Sequence, residues 1–106
     1  MNDTSAFVST FYAKKGTEAV MLKELQRLVS LTRQERNCLF CDLFRVSKDK
    51  TVFVIHSVWS GRDVWLNHDG WQDHPAGTGR LAQCLYGPIE VVALEEIEVV
   101  SLEEVA

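Results

Sequence analysis

The sequence has no long apolar run, no second CxxC beside its one and nowhere a concentration of positive charge. Each shortage removes a class of protein. No apolar stretch approaches the ~20 residues that a membrane-crossing helix needs, so no such span and no membrane partner is expected. The opening residues, MNDTSAF, lack the basic start and apolar centre of a secretory signal, and a cytoplasmic location is the expectation. Eleven Lys and Arg are outnumbered by fifteen Asp and Glu, a formal net charge of -4, and the basic residues are scattered. A nucleic-acid partner needs a basic stripe, so none is expected. Three cysteines is an odd count, which reads as free buried thiols in a reducing compartment. Cys38 and Cys41 form a CxxC, but on a strand residues three apart point to opposite faces. With no second CxxC, no metal site is expected.

What the chain does have is ordinary for a globular protein. It has 106 residues, 46% hydrophobic and 25% charged, enough for one core and one domain spanning 1–106. The most informative stretch runs from Val52 to His74, VFVIHSVWSGRDVWLNHDGWQDH. It opens as a β-branched and aromatic run that reads as a buried strand ending at Trp59, and Ser60-Gly61 turns the chain. From Arg62 the pattern becomes helical and delivers Trp65, His68 and Trp71 at intervals of three, which places them on one helix face. This density of aromatic and imidazole groups reads as a pocket wall.

Around this stretch the remaining elements fall into order. Ala6 to Ala13 reads as a strand, and Lys14-Lys15-Gly16 as a turn. Thr17 stands as the N-cap of a helix to about Thr32, with Leu22, Leu25, Leu28 and Val29 as its apolar stripe. Cys38 to Val46 and a strand from Thr51 are joined by the hairpin loop Ser47 to Lys50. Arg80 to Leu85 forms a short helix, and Ile89 to Val100 a fourth strand. Strand, helix, strand, strand, helix, strand is the α+β, ferredoxin-like split βαβ order: a four-stranded antiparallel sheet with helices on one face. The third strand is apolar on both faces, Phe53, Ile55 and Trp59 on one and Val52, Val54 and Val58 on the other. Two helices cover one face. A second copy packed on the other makes a homodimer the expectation, with His56 on that side as a structural, hydrogen-bonded histidine.

Trp59, eight residues, His68, five residues and His74 make a spacing that resembles antibiotic biosynthesis monooxygenase domains, the group that includes bacterial quinol monooxygenases. Gly16 after the first strand, Thr32-Arg33, Glu35 and Cys38-Leu39 fit the same pattern, and the resemblance covers about residues 6 to 98. It implies a dimeric α+β barrel with one pocket per subunit between sheet and helices. It also implies oxygenation of aromatic, phenolic or quinol-type substrates by dioxygen without flavin, haem or metal. Three positions depart from the family's usual residues. Ser57 stands where a glutamate is common two before the tryptophan, Asn37 where glycine often precedes the cysteine, and Cys41 in place of a frequent tyrosine.

On this reading His68 is the catalytic candidate, because an imidazole titrating near ~6.5 takes a proton from an acidic phenol. Trp59, Trp65, Trp71, His74 and Ser57 are the substrate-binding candidates. A tryptophan offers stacking area and an indole N–H, although Trp59 reads equally well as plain core. His68 and His74 lack the one-turn spacing of a helical metal pair, so neither a metal nor a cofactor is expected. Two alternatives stay open. One is haem degradation, for which Trp65 and His74 stand nearly at the spacing of that activity's tryptophan and histidine, although Ser9 and Thr10 occupy the first strand where an asparagine would be needed. The other is a non-catalytic dimer that binds a small molecule.

Overall fold

The computed structural model describes residues 4–61 and 79–105. The elements in chain order are β1 (Thr4–Tyr12), α1 (Glu18–Arg33), β2 (Cys38–Arg45), β3 (Val52–Ser60), α2 (Arg80–Cys84), β4 (Glu90–Leu94) and α3 (Leu102–Val105). The four strands form one antiparallel sheet in the order β2-β3-β1-β4. That is the ferredoxin-like α+β arrangement, with the first and third strands in the centre. The second helical segment anticipated from Arg62 lies outside the described residues. No helix among the described residues is long and apolar enough to cross a membrane.

Strict alternation builds the central strands. Phe7, Ser9 and Phe11 on β1 and Phe53, Ile55, Ser57 and Trp59 on β3 are buried, with partly exposed residues between them. Against this face α1 lays Met21, Leu25, Leu28, Val29 and Thr32. These are the i, i+4, i+7, i+8 and i+11 positions of one helical stripe. Met21 and Thr32 extend the anticipated stripe, while Leu22 stands at its margin, partly buried against the core. Leu81 and Cys84 of α2 close the cluster. Thr32 is tolerated inside because its hydroxyl donates to the Leu28 carbonyl at 2.8 Å.

Local details correct several expectations. Thr17 stands at the N-cap of α1 as anticipated, but its side chain makes no capping bond; its hydroxyl donates backwards to the Lys14 carbonyl at 2.6 Å. The Glu18 carboxylate instead accepts from the Gly16 N–H at 2.7 Å, and Gly16 holds φ 94°, a conformation that glycine adopts without steric cost. The fourth strand stops at Leu94 rather than running to Val100. Its ladder with β1 ends at the Ala6–Leu94 pair, near the start of β1, and a strand without a partner has no ladder to join.

The largest correction concerns Cys38 and Cys41. The register of β2 on β3 shifts between Cys38 and Phe40, so Leu39 is an extra residue in a β-bulge. Cys38 pairs with Trp59 and Cys41 with Ser57, both on the helix-facing side. The two thiols therefore share a face, where an unbroken strand would have put them on opposite ones.

The other sheet face is apolar and open. Phe40, Phe44, Val92 and Leu94 are all exposed there, beside the partly buried Val54 and Val58. A groove of about 540 Å³ runs between Ala6, Phe40, His56, Val58, Leu94 and Glu96.

Candidate functional site

Sheet register assembles a patch on the helix-facing side, at the end of the central strands away from the β2–β3 hairpin. Ser5 lies opposite Trp59, Phe7 opposite Ser57, and Ser9 opposite Ile55. From β2, Cys38 joins the Trp59 row and Cys41 the Ser57 row. The patch is thus a buried indole and a buried phenyl ring around small hydroxyl and thiol residues. Trp59 is 1% exposed and Ser57 fully enclosed. Ser5 ties the patch to the chain leaving β3, its hydroxyl donating to the Gly61 carbonyl at 2.8 Å.

Ser57 is the anomaly. Among the described residues its hydroxyl has no hydrogen-bond partner. Leaving a buried hydroxyl unsatisfied costs about 1–3 kcal/mol, so native interiors rarely keep one without a reason. Its neighbours explain the vacancy in bonding. Phe7 offers only a ring, and β3 is paired on both sides, by β1 and by β2, which commits its backbone groups to the ladders.

The thiols in the patch are held in their protonated form. Burial, and after it the neighbouring Cys38, pushes Cys41 up from 9.0 to about 12. Cys38 is also raised, by burial first and then by Glu35, and its thiol donates to the Phe40 carbonyl. Both stay protonated at neutral pH, whereas thiol chemistry needs the thiolate. Among the described residues no group of three or more His, Cys, Asp or Glu is placed to hold a metal ion.

Of the residues singled out from sequence, the fold brings Ser57 and Trp59 together, two apart on one strand face. His56 points to the other face, opposite Asp42 of β2. Trp65, His68, Trp71 and His74 lie outside the described residues. The sequence reading overlooked Phe7 and Ser9, although the Phe7-Ser9-Phe11 alternation carried the signal. Cys38 and Cys41 were also missed as members of the patch, since the bulge that turns them together leaves no mark in composition.

A second groove, about 700 Å³, lies between α1 and the edge strand β2. Arg33 spans it, donating through Nε to the Cys41 carbonyl at 2.7 Å and pairing with Asp42 at 3.1 Å. Arg45 sits 4.8 Å above the Phe53 ring. This groove includes neither Ser57 nor Trp59.

No curated protein sequence matches the chain significantly. Solved structures do match in fold. PA3566 from Pseudomonas aeruginosa superposes with a TM-score of 0.76 at 24% identity, over 92% of this chain and 98% of its own. A crystal structure described as an antibiotic biosynthesis monooxygenase gives 0.74 at 24% identity, over 89% and 99%. SnoaB from Streptomyces nogalater, described as a cofactor-independent oxygenase, gives 0.75 at 17% identity, over 92% and 97%. At such identities the likeness is one of fold. Membership rests on the sequence itself: the family model for antibiotic biosynthesis monooxygenases matches residues 6–76, which take in β1, α1, β2 and β3. With two thirds of its length matched and the fold in agreement, this chain belongs to the antibiotic biosynthesis monooxygenase family.

Proposed function

We propose that this protein is a monooxygenase that oxidises an aromatic, phenolic or quinol-type small molecule with dioxygen, without a bound cofactor. The observation that carries the reading is the match of the antibiotic biosynthesis monooxygenase model to residues 6–76. SnoaB, of the same fold, is described as a cofactor-independent oxygenase, and that likeness supports the chemistry.

The electrons balance without an outside reductant. A quinol and dioxygen give a hydroxyquinone and water; the substrate supplies all four electrons, one oxygen atom enters the ring and the other leaves as water. The protein's task is to take the phenolic proton, since the resulting anion is the species electron-rich enough to reduce dioxygen. We assign that proton to His68, and further contact with the ring to Trp65, Trp71 and His74. Two copies joined through the open sheet face would form the working unit, in the cytoplasm.

Oxygen uptake measured with a reduced naphthoquinol tests the reading. Colourless, metal-free protein should accelerate uptake, and His68→Ala should lower the rate by about 100-fold or more, as removal of a general base does. Wild type that leaves the background rate unchanged across a panel of such quinols and phenols overturns it.

A further inference from the structure

We propose that the groove between α1 and the edge strand β2 binds an aliphatic monocarboxylate of the fatty-acid type, with the carboxylate on Arg45 and the chain along the groove floor. The proposal does not rest on the oxygenase reading, and the groove includes neither Ser57 nor Trp59.

The groove is walled by a second stripe of α1. Leu22, Gln26, Val29, Ser30 and Arg33 line it, at the i, i+4, i+7, i+8 and i+11 positions of one helix face. At a rise of ~1.5 Å per residue that face is about 16 Å long. Opposite it stand Leu43 and Arg45 of β2, with Phe53 of β3 paired to Arg45 across the sheet. Leu22 and Leu43 pack against the core but keep part of their surface exposed, so the groove has an aliphatic floor. Its volume of about 700 Å³ falls within the range of small-molecule sites.

Charge decides the ligand class. Two guanidiniums and one carboxylate line the groove, which leaves one positive charge uncompensated. The guanidinium of Arg33 is committed, through Nε to the Cys41 carbonyl at 2.7 Å and through Nη2 to Asp42 at 3.1 Å. Arg45 is exposed, and no carboxylate among the described residues forms an ion pair with it. The Phe53 ring, 4.8 Å away, holds this cation in place through its negative face. A guanidinium so placed presents its N–H fork to a carboxylate. One negative charge balances the site; a dianion would meet Asp42 uncompensated. The floor favours a chain over a flat ring, because its one aromatic surface, Phe53, already lies under Arg45.

Calorimetric titration of the intact protein at pH 7 with octanoate and with 1-octanol, two probes of one chain length, tests this. Arg45→Gln should weaken octanoate binding about tenfold, the effect of one charge-assisted bond, and leave octanol binding unchanged as an internal control for folding. Arg45→Lys, which keeps the charge but not the fork, should retain part of the affinity. Gln26→Glu, at an exposed helix position on the opposite wall, should weaken octanoate alone, by like-charge repulsion. An octanoate affinity untouched by Arg45→Gln overturns the proposal, as does wild type that does not bind octanoate, or an equal loss of both probes. Amide chemical shifts locate the chain, with changes expected at Gln26, Ser30 and Leu43. Changes confined to Phe40, Val58 and Leu94 would put the probe on the open sheet face and overturn the proposal. Shifts at Gln26, Ser30 and Leu43 that vary with protein concentration in the absence of octanoate would identify a second copy as the occupant, and overturn it as well.

Discussion

Cys41 ties the acidity of one side chain to folding. Burial, with Cys38 beside it, raises its thiol from 9.0 to about 12, so the folded protein holds this proton more tightly than the unfolded chain does. The sign follows from linkage. The contribution is fully present below pH 9, where the thiol is protonated in both states, and is lost as pH rises towards 12, because the unfolded chain ionises first. Urea midpoints measured from pH 8 to 11 on wild type and on Cys41→Val should therefore diverge. The wild type should lose stability more steeply over that window, since valine fills a similar volume and has nothing to ionise. Parallel curves would show that the thiol is not so enclosed. The same environment that holds Cys41 protonated makes the neighbouring hydroxyl of Ser57 conspicuous, for both sit in one row of the sheet.

The edge strand β2 is held to α1 by Arg33, and the two bonds it makes are unequal. Its pair with Asp42 is half exposed on both sides, a setting in which ion pairs contribute about 0–1 kcal/mol. The Nε bond to the Cys41 carbonyl is shorter and occupies an acceptor on the free edge of the sheet. Arg33→Ala should cost about 1–2 kcal/mol in urea unfolding and Asp42→Ala about 0.5 kcal/mol or less; equal losses would return the weight to the ion pair. Elements of this kind were legible where a period of two or 3.6 runs unbroken. The Phe53-Ile55-Ser57-Trp59 and Leu25-Leu28-Val29 patterns alone place β3 and α1. Two things were not legible because they depend on a neighbouring strand. The end of β4 is set by where β1 starts, and the shared face of Cys38 and Cys41 is set by a bulge at Leu39. For the same reason Ser57 and Trp59 could be put on one face from sequence, while their neighbours Phe7, Ser5 and Cys41 needed the register.

At the scale of the molecule, the open sheet face is the feature a lone chain leaves unresolved. Phe40 is 63% exposed and Val92 56%, on a surface that continues through Val58 and Leu94 to the groove beside His56. Contiguous apolar patches of this kind mark interaction sites. A sheet face is self-complementary about a two-fold axis, since each copy offers the same strands at the same spacing. The proposed dimer follows from that geometry, and Phe40 is the residue with which to test it. Its side chain is mostly outside the monomer's core, so Phe40→Glu should leave the folded chain close to wild type in thermal unfolding at low concentration. In the dimer the substitution counts twice, once per copy, and loses about 2 kcal/mol of apolar burial each time. Dissociation should become about a thousandfold easier, with the acidic side chain adding the cost of burying its charge. Sedimentation equilibrium reads the outcome directly: wild type at twice the 12.0 kDa of the chain, the variant at the monomer mass under the same conditions. Wild type sedimenting as a monomer at tens of micromolar would mean that some other partner covers this face.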